Sequence, residues 1–337
     1  MQVITLAGSS NSGYVDGAGS AARFTGPYAI TIDNTGTMYV AEAGNHRIRK
    51  VTNNGVVTSI AGPAPGVTPM IGTTDGIGTA ARFTSPFGLA LQSGFLYVAD
   101  YGSHRLRKIN LSTNEVTTIA GSSSGYLDGI GTAAKLQQPN GLSIISGQLY
   151  IADRSNNRIR KMDLTTNEVS TVAGSSYGYL NATGTNARFT MPSGMVSDGA
   201  GNLYVADLGN NRIRKIELTS GLVTTIAGDG NATFRDGVGE NASFFYPVGL
   251  AWGGAGTLYV ADVANNRIRK IEVNTGKVTT LAGSGAGFAD GTGSAAAFFS
   301  PTGLVVDADQ NIFVADQVNH RIRKMSKYAI KPAPPVS

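Results

Sequence analysis

Arg47-Ile48-Arg49-Lys50 returns as Arg105-Leu106-Arg107-Lys108, and then as Arg-Ile-Arg-Lys at 158–161, 212–215, 267–270 and 321–324. From first arginine to first arginine the steps are 58, 53, 54, 55 and 54 residues. A unit repeated at so even a period is one supersecondary element, stacked so that neighbours bury an apolar face that none of them buries alone. Outward from its tetrapeptide, the second unit holds four runs of strand character: Pro86 to Leu91, Phe95 to Asp100, Arg105 to Ile109 and Val116 to Ala120. Turn-forming pairs such as Ser103-His104 and Thr113-Asn114 separate them, and no run keeps a helical period.

Four short antiparallel strands in each of six units predict an all-β fold, a six-bladed β-propeller in which radial repetition protects the strand edges. The ends of the chain argue for a closed ring rather than a solenoid, which needs atypical capping repeats. The sixth unit supplies Pro301 to Asp307, Ile312 to Asp316 and Arg321 to Met325, but no fourth run. Its counterpart stands at the other end: Val3-Ile4-Thr5-Leu6-Ala7-Gly8 repeats the pattern of Val278-Thr279-Thr280-Leu281-Ala282-Gly283. The N-terminal strand is therefore expected to complete the last blade and remove two free edges. Residues 1–326 read as one propeller domain, and 327–337 as a proline-rich tail or linker.

Of 337 residues, 41% are hydrophobic, 15% are charged and 45 are glycine, which suits short strands and many tight turns. With no cysteine, disulfides, thiol nucleophiles and Cys-ligated zinc are excluded. No apolar stretch reaches about 18 residues, so no transmembrane helix is expected. The chain opens inside a strand with no basic or apolar leader, as a cytosolic protein does or as a piece excised from a longer secreted one. The proline-rich end favours the second, a secreted or cell-surface location. The net charge is +5, and 18 of the 27 basic residues lie in the repeated tetrapeptides.

The segment Leu203-Tyr204-Val205-Ala206-Asp207 followed by Asn210-Asn211-Arg212-Ile213-Arg214-Lys215, with variants ending Asn45-His46-Arg47 and Asn319-His320-Arg321, resembles the NHL-repeat family of six-bladed propellers. The resemblance covers all six units. It implies a sensor or interaction domain, with three other activities to weigh: a zinc-dependent amidating lyase, calcium-dependent lactonases, and RNA binding on one propeller face. Inner-strand histidines would hold the lyase zinc, and the inner-strand runs here have none. Acidic and amide groups would hold the lactonase calcium, at positions occupied here by Tyr28, Phe87, Asn140, Ser193, Val248 and Thr302, none of them acidic. RNA binding calls for concentrated charge interleaved with aromatics, whereas these arginines are evenly distributed. The reading leans away from an enzyme and assigns no metal and no cofactor.

Residues common to every blade serve the fold; departures in one sector are candidates for a ligand. The Ala-Asp pairs ending at Asp100, Asp153, Asp207, Asp262 and Asp316, with Glu42 in the first blade, are expected to cap the next turn or to pair with an arginine of the motif, six acids standing against six leading arginines that include Arg105, Arg158, Arg212, Arg267 and Arg321. The Asp-Gly-x-Gly runs at Asp16, Asp75, Asp128, Asp236 and Asp290 offer one acid each, too few for a calcium loop, and are expected to cap their own turns. The aromatics before them, Tyr14, Tyr126, Tyr179, Phe234 and Phe288, are expected to pack the long loop onto its blade. His46, His104 and His320 occupy one blade position, so they diverge outward and do not share a metal. Mapped around the ring, the polar and aromatic departures gather in blades one to three as Tyr28, Phe87, Tyr101, Asn140 and Arg154, beside the insertion at residues 63–70. This channel-mouth cluster suits a protein, peptide or glycan ligand bound by a monomeric domain.

Overall fold

The computed structural model describes residues 1–64 and 70–327. The centre of the insertion at 63–70, and the proline-rich tail apart from Lys327, lie outside the described residues. Six antiparallel sheets follow one another around a central channel. In blade 2 the order from channel to rim is Pro86–Gln92, Phe95–Asp100, Arg105–Asn110 and Glu115–Ala120. A two-residue strand, Gly76–Ile77, lies outside the last of these. Five blades carry such a fifth strand. Blade 4, where Asn181-Ala182-Thr183-Gly184 replaces the Asp-Gly-x-Gly run, keeps four.

The ring closes as the terminal segments require. Gln2–Gly8 pairs antiparallel with Arg321–Ser326, in a register that sets Val3 against Met325 and Gly8 against Arg321. Each inner strand opens on proline, which has no N–H to leave unpaired at a strand start. In five of the six a glycine follows two residues later. A Cβ on Gly88 would lie 1.8 Å from the Asn140 carbonyl, and one on Gly249 would lie 1.9 Å from that of Thr302. Neighbouring inner strands thus approach backbone to backbone around the channel. The first blade has Ala29 at this position. The core lies between consecutive blades: Tyr39, Ala41 and Ile48 of blade 1 pack with Phe83, Leu89 and Val98 at blade 2.

Each inner carboxylate pairs with an arginine of the motif. It is the second arginine that meets the carboxylate. Arg160 is fully buried and donates to Asp153 at 2.8 Å, to Asp128 at 2.5 Å, and to the carbonyls of Lys135 and Leu127. Arg49, Arg107, Arg269 and Arg323 repeat this arrangement, and Arg214 does so with Asn181 in place of the second acid. Five of the six leading arginines stack on the aromatics, as Arg158 does at 4.0 Å from the Tyr126 ring centre and Arg321 at 3.8 Å from Phe288, whereas Arg105 donates to the Ser103 carbonyl. The aromatics therefore act as loop anchors through cation–π contact. The Asp-Gly-x-Gly acids do not cap their own turns. Asp75 accepts from Arg107 and from both N–H and hydroxyl of Thr118 on the outer strand, and so ties loop to sheet. Burial raises the pKa of the inner carboxylates; that of Asp100, which has the longest of these ion pairs at 3.2 Å, is pushed up to about 6.

Candidate binding face at the channel mouth

The opening of each inner strand and the turn between the second and third strands share one face of the disc. A buried carboxylate joins them: Asp100 accepts the Thr84 N–H and Asp153 the Gln137 N–H, both at 2.7 Å. The residue following the carboxylate is thereby carried over the residue following the proline. In blade 2 those two are Tyr101 and Phe87, and their rings stack at 4.2 Å between centres and 19° between planes. Phe87 stacks in turn on Tyr28 of blade 1, at 3.9 Å and 16°. From blade 3 the Arg154 guanidinium lies 5.8 Å over the Tyr101 ring. Four of the five side chains singled out in the sequence thus form one ladder, Tyr28–Phe87–Tyr101–Arg154, drawn from three blades.

Asn140, the fifth, has a different place. It is 2% exposed and lies below the mouth, where its amide donates to the Tyr28 hydroxyl at 3.4 Å across the channel and accepts from Ser193 at 3.5 Å. Its amide thus holds the Tyr28 hydroxyl in place. Two further side chains, Leu208 and Val248, pack with Tyr28 to form an apolar floor with Ala43, Phe87 and Val263. Their signal was present, since they fill the same two variable positions in blades 4 and 5. The cavity beneath has a volume of about 70 Å³, room for a water or two. A larger recess of about 650 Å³ opens on the opposite face between blades 6 and 1, but two of its acids, Asp33 and Asp307, cap their own hairpin turns.

The three histidines do not approach one another. Each links its own blade to the next. His46 Nδ1 accepts the Ser85 N–H at 2.9 Å, His104 Nδ1 that of Gln138 at 3.1 Å, and His320 Nδ1 that of Gly26 at 3.3 Å. At the other three junctions asparagine does the same work: Asn157, Asn211 and Asn266 accept from Met191, Tyr246 and Ser300 at 2.8 to 2.9 Å. All six linking residues have φ between 51° and 59°, the left-handed conformation that Asn and His tolerate best. Among the described residues no three His, Asp or Glu side chains are grouped so as to hold a metal ion.

A ring of six sheets, closed by its own N-terminal strand and knit by buried arginines, defines a closed six-bladed β-propeller. The NHL repeat matches residues 136–162, 189–216 and 298–325. Human NHL repeat-containing protein 2 is 32% identical over 345 residues, taking in 89% of this chain and 46% of that protein. The chain belongs to the NHL-repeat family of propellers, and spans about half the length of that relative. Among solved structures, an auxiliary nutrient binding protein from Bacteroides thetaiotaomicron superposes with a TM-score of 0.70 at 19% identity, over 96% of this chain and 76% of that one. Virginiamycin B lyase from Staphylococcus aureus does so at 0.54 and 15%, over 89% and 94%. These two likenesses concern the fold.

Proposed function

We propose that the propeller is a non-catalytic binding module that takes a protein or peptide ligand on the channel-mouth face, as one part of a longer secreted or cell-surface protein. The observation that carries this reading is the ladder of three rings and a guanidinium over an apolar floor. Aromatic and arginine side chains gathered at the centre of a face are the residue types that dominate the energy of protein interfaces. The ligand lies on the mouth, because the pocket directly beneath it holds only about 70 Å³ and small-molecule sites fill several hundred Å³. Tyr28 and Asn140, held buried, preorganise the floor on which the exposed edge of Tyr101 and the Arg154 head present themselves.

The test is a display of random peptides and a glycan array, both probed with the chain and with the Tyr101→Ala/Arg154→Ala double variant. Peptides enriched by the parent chain should lose about tenfold or more in affinity for the variant, while its melting temperature stays within about 2 °C. Binders that hold the variant equally well would remove the face from consideration. Enrichment confined to glycans would change the ligand class.

A further inference from the structure

The links between blades are not distributed at random. Histidine makes them at the junctions of blades 6 to 1, 1 to 2 and 2 to 3, and asparagine makes them at the other three. Each captured amide lies two residues before a residue at or just below the mouth, with the rigid proline between: Gly26-Pro27-Tyr28, Ser85-Pro86-Phe87 and Gln138-Pro139-Asn140. Proline fixes its φ, so a shift of the captured amide is passed to the side chain beyond it instead of being absorbed. The half of the ring that carries the ladder hangs on titratable groups. The other half does not.

We infer that His320, His46 and His104 are positioning residues for the Tyr28–Phe87–Tyr101–Arg154 face, and that mild acidification loosens this sector alone by protonating their Nδ1 atoms. An imidazolium has no acceptor, because both ring nitrogens then donate. The Nδ1–H would confront the captured backbone N–H donor against donor, and a link between blades becomes a repulsion. The inference rests on the ligand face proposed above for its functional meaning, although the loosening itself needs no ligand.

The surroundings favour the neutral ring. Burial lowers the pKa of His46, burial and then Arg105 that of His104, and burial and then Arg321 that of His320, where a backbone bond with Gln317 acts in the opposite sense. From the next blade, the turn that bonds Gln138 carries Arg154, another cation. The carboxylates facing these junctions, Glu42, Asp100 and Asp153, each hold the amide one residue earlier and are engaged by Arg49, Arg107 and Arg160. No carboxylate lies within 4.0 Å of a histidine nitrogen among the described residues, and residues 65–69 contain no ionisable side chain.

The signs oppose one another in global stability. With a folded pKa below the unfolded value of about 6.5, the histidines contribute stability that is complete above that value and is lost as pH falls from it through the lower folded value. Asp100, pushed up to about 6, binds its proton more readily in the folded state, so its contribution grows as pH falls from about 6 to 4. A melting curve mixes the two effects. Local amide exchange separates them.

The experiment is backbone amide exchange by NMR on the full chain at pH 7.5 and 5.0, each rate normalised to its intrinsic value. Protection of Gly26, Ser85 and Gln138 should fall about tenfold, the worth of one net hydrogen bond, while Met191, Tyr246 and Ser300 change by less than about twofold. The His46→Asn/His104→Asn/His320→Asn variant keeps the acceptor and should hold its protection at pH 5.0. It should also keep the near-ultraviolet circular dichroism of the stacked tyrosines, which the parent loses. If the triple variant does not fold, His104→Asn alone should rescue Gln138 and leave the other two amides acid-sensitive. Six amides that move together, or a parent and variant that behave alike, would overturn the inference. Either outcome is read without a ligand, and therefore independently of the peptide-binding result.

Discussion

At the scale of single residues, two arginines two positions apart on one strand have opposite importance. Arg158 and Arg160 point to the same face, but Arg160 is fully buried between two carboxylates, whereas Arg158 lies on the Tyr126 ring with solvent beside it. Removing one partner of a buried pair leaves the other charge uncompensated, which costs about 3–5 kcal/mol. Arg160→Met should therefore destabilise by about that amount in a urea titration. Arg158→Met removes an exposed cation–π contact and should cost about 0.5–1 kcal/mol. Equal losses would mean that the carboxylate network is not what knits the blade. The sequence was mute on this ranking because a strand's two-residue period gives both arginines the same face. Only depth along the strand, set by the long loop that brings in Asp128, distinguishes them.

At the scale of elements, the four long strands of each blade were legible because six copies of one pattern average away local noise. The fifth strand was not, since two residues such as Gly129–Ile130 have no periodicity to read. The cluster at the mouth was legible for the same reason as the strands: repeated positions form a background against which Tyr28, Phe87, Tyr101 and Arg154 stand out. Asn140 stood out equally, and nothing in one dimension separates a side chain at the mouth from one just below it. The histidine links were readable in principle, because His and Asn share one position of the repeat and both offer an acceptor at Nδ1 or Oδ1. The inner strands make a further prediction. Gly249→Ala places a methyl 1.9 Å from the Thr302 carbonyl and should destabilise by about 1–3 kcal/mol through overpacking. Ala29→Gly changes the one inner strand that already accepts a Cβ, and should stay within about 1 kcal/mol of the parent. A similar tolerance at both sites in denaturant titrations would refute the close backbone approach.

At the scale of the whole molecule, the ring depends on one strand contributed from the far end of the chain. Val3 and Ala7 are fully buried, and Val3 packs with Ala296, Phe298 and Met325. The backbone and hydroxyl of Thr5 both donate at 3.2 Å to Asp290, which also holds the buried Arg323 at 2.7 Å. Deleting Met1 to Gly8 therefore removes an apolar contact worth about 1.5–3 kcal/mol for the valine alone. It also uncovers the third strand of blade 6 as a free edge and leaves the Asp290 loop without its sheet partner. Because every blade is gripped by two neighbours, the loss does not stay in blade 6, and the transition of the entire disc should move down by about 10 °C or more. A synthetic peptide of residues 1–8, added in excess, should raise the transition again as its concentration rises, since it binds the folded ring and not the unfolded chain. A truncated chain as stable as the parent, or one indifferent to the peptide, would mean that the disc holds together without its clasp.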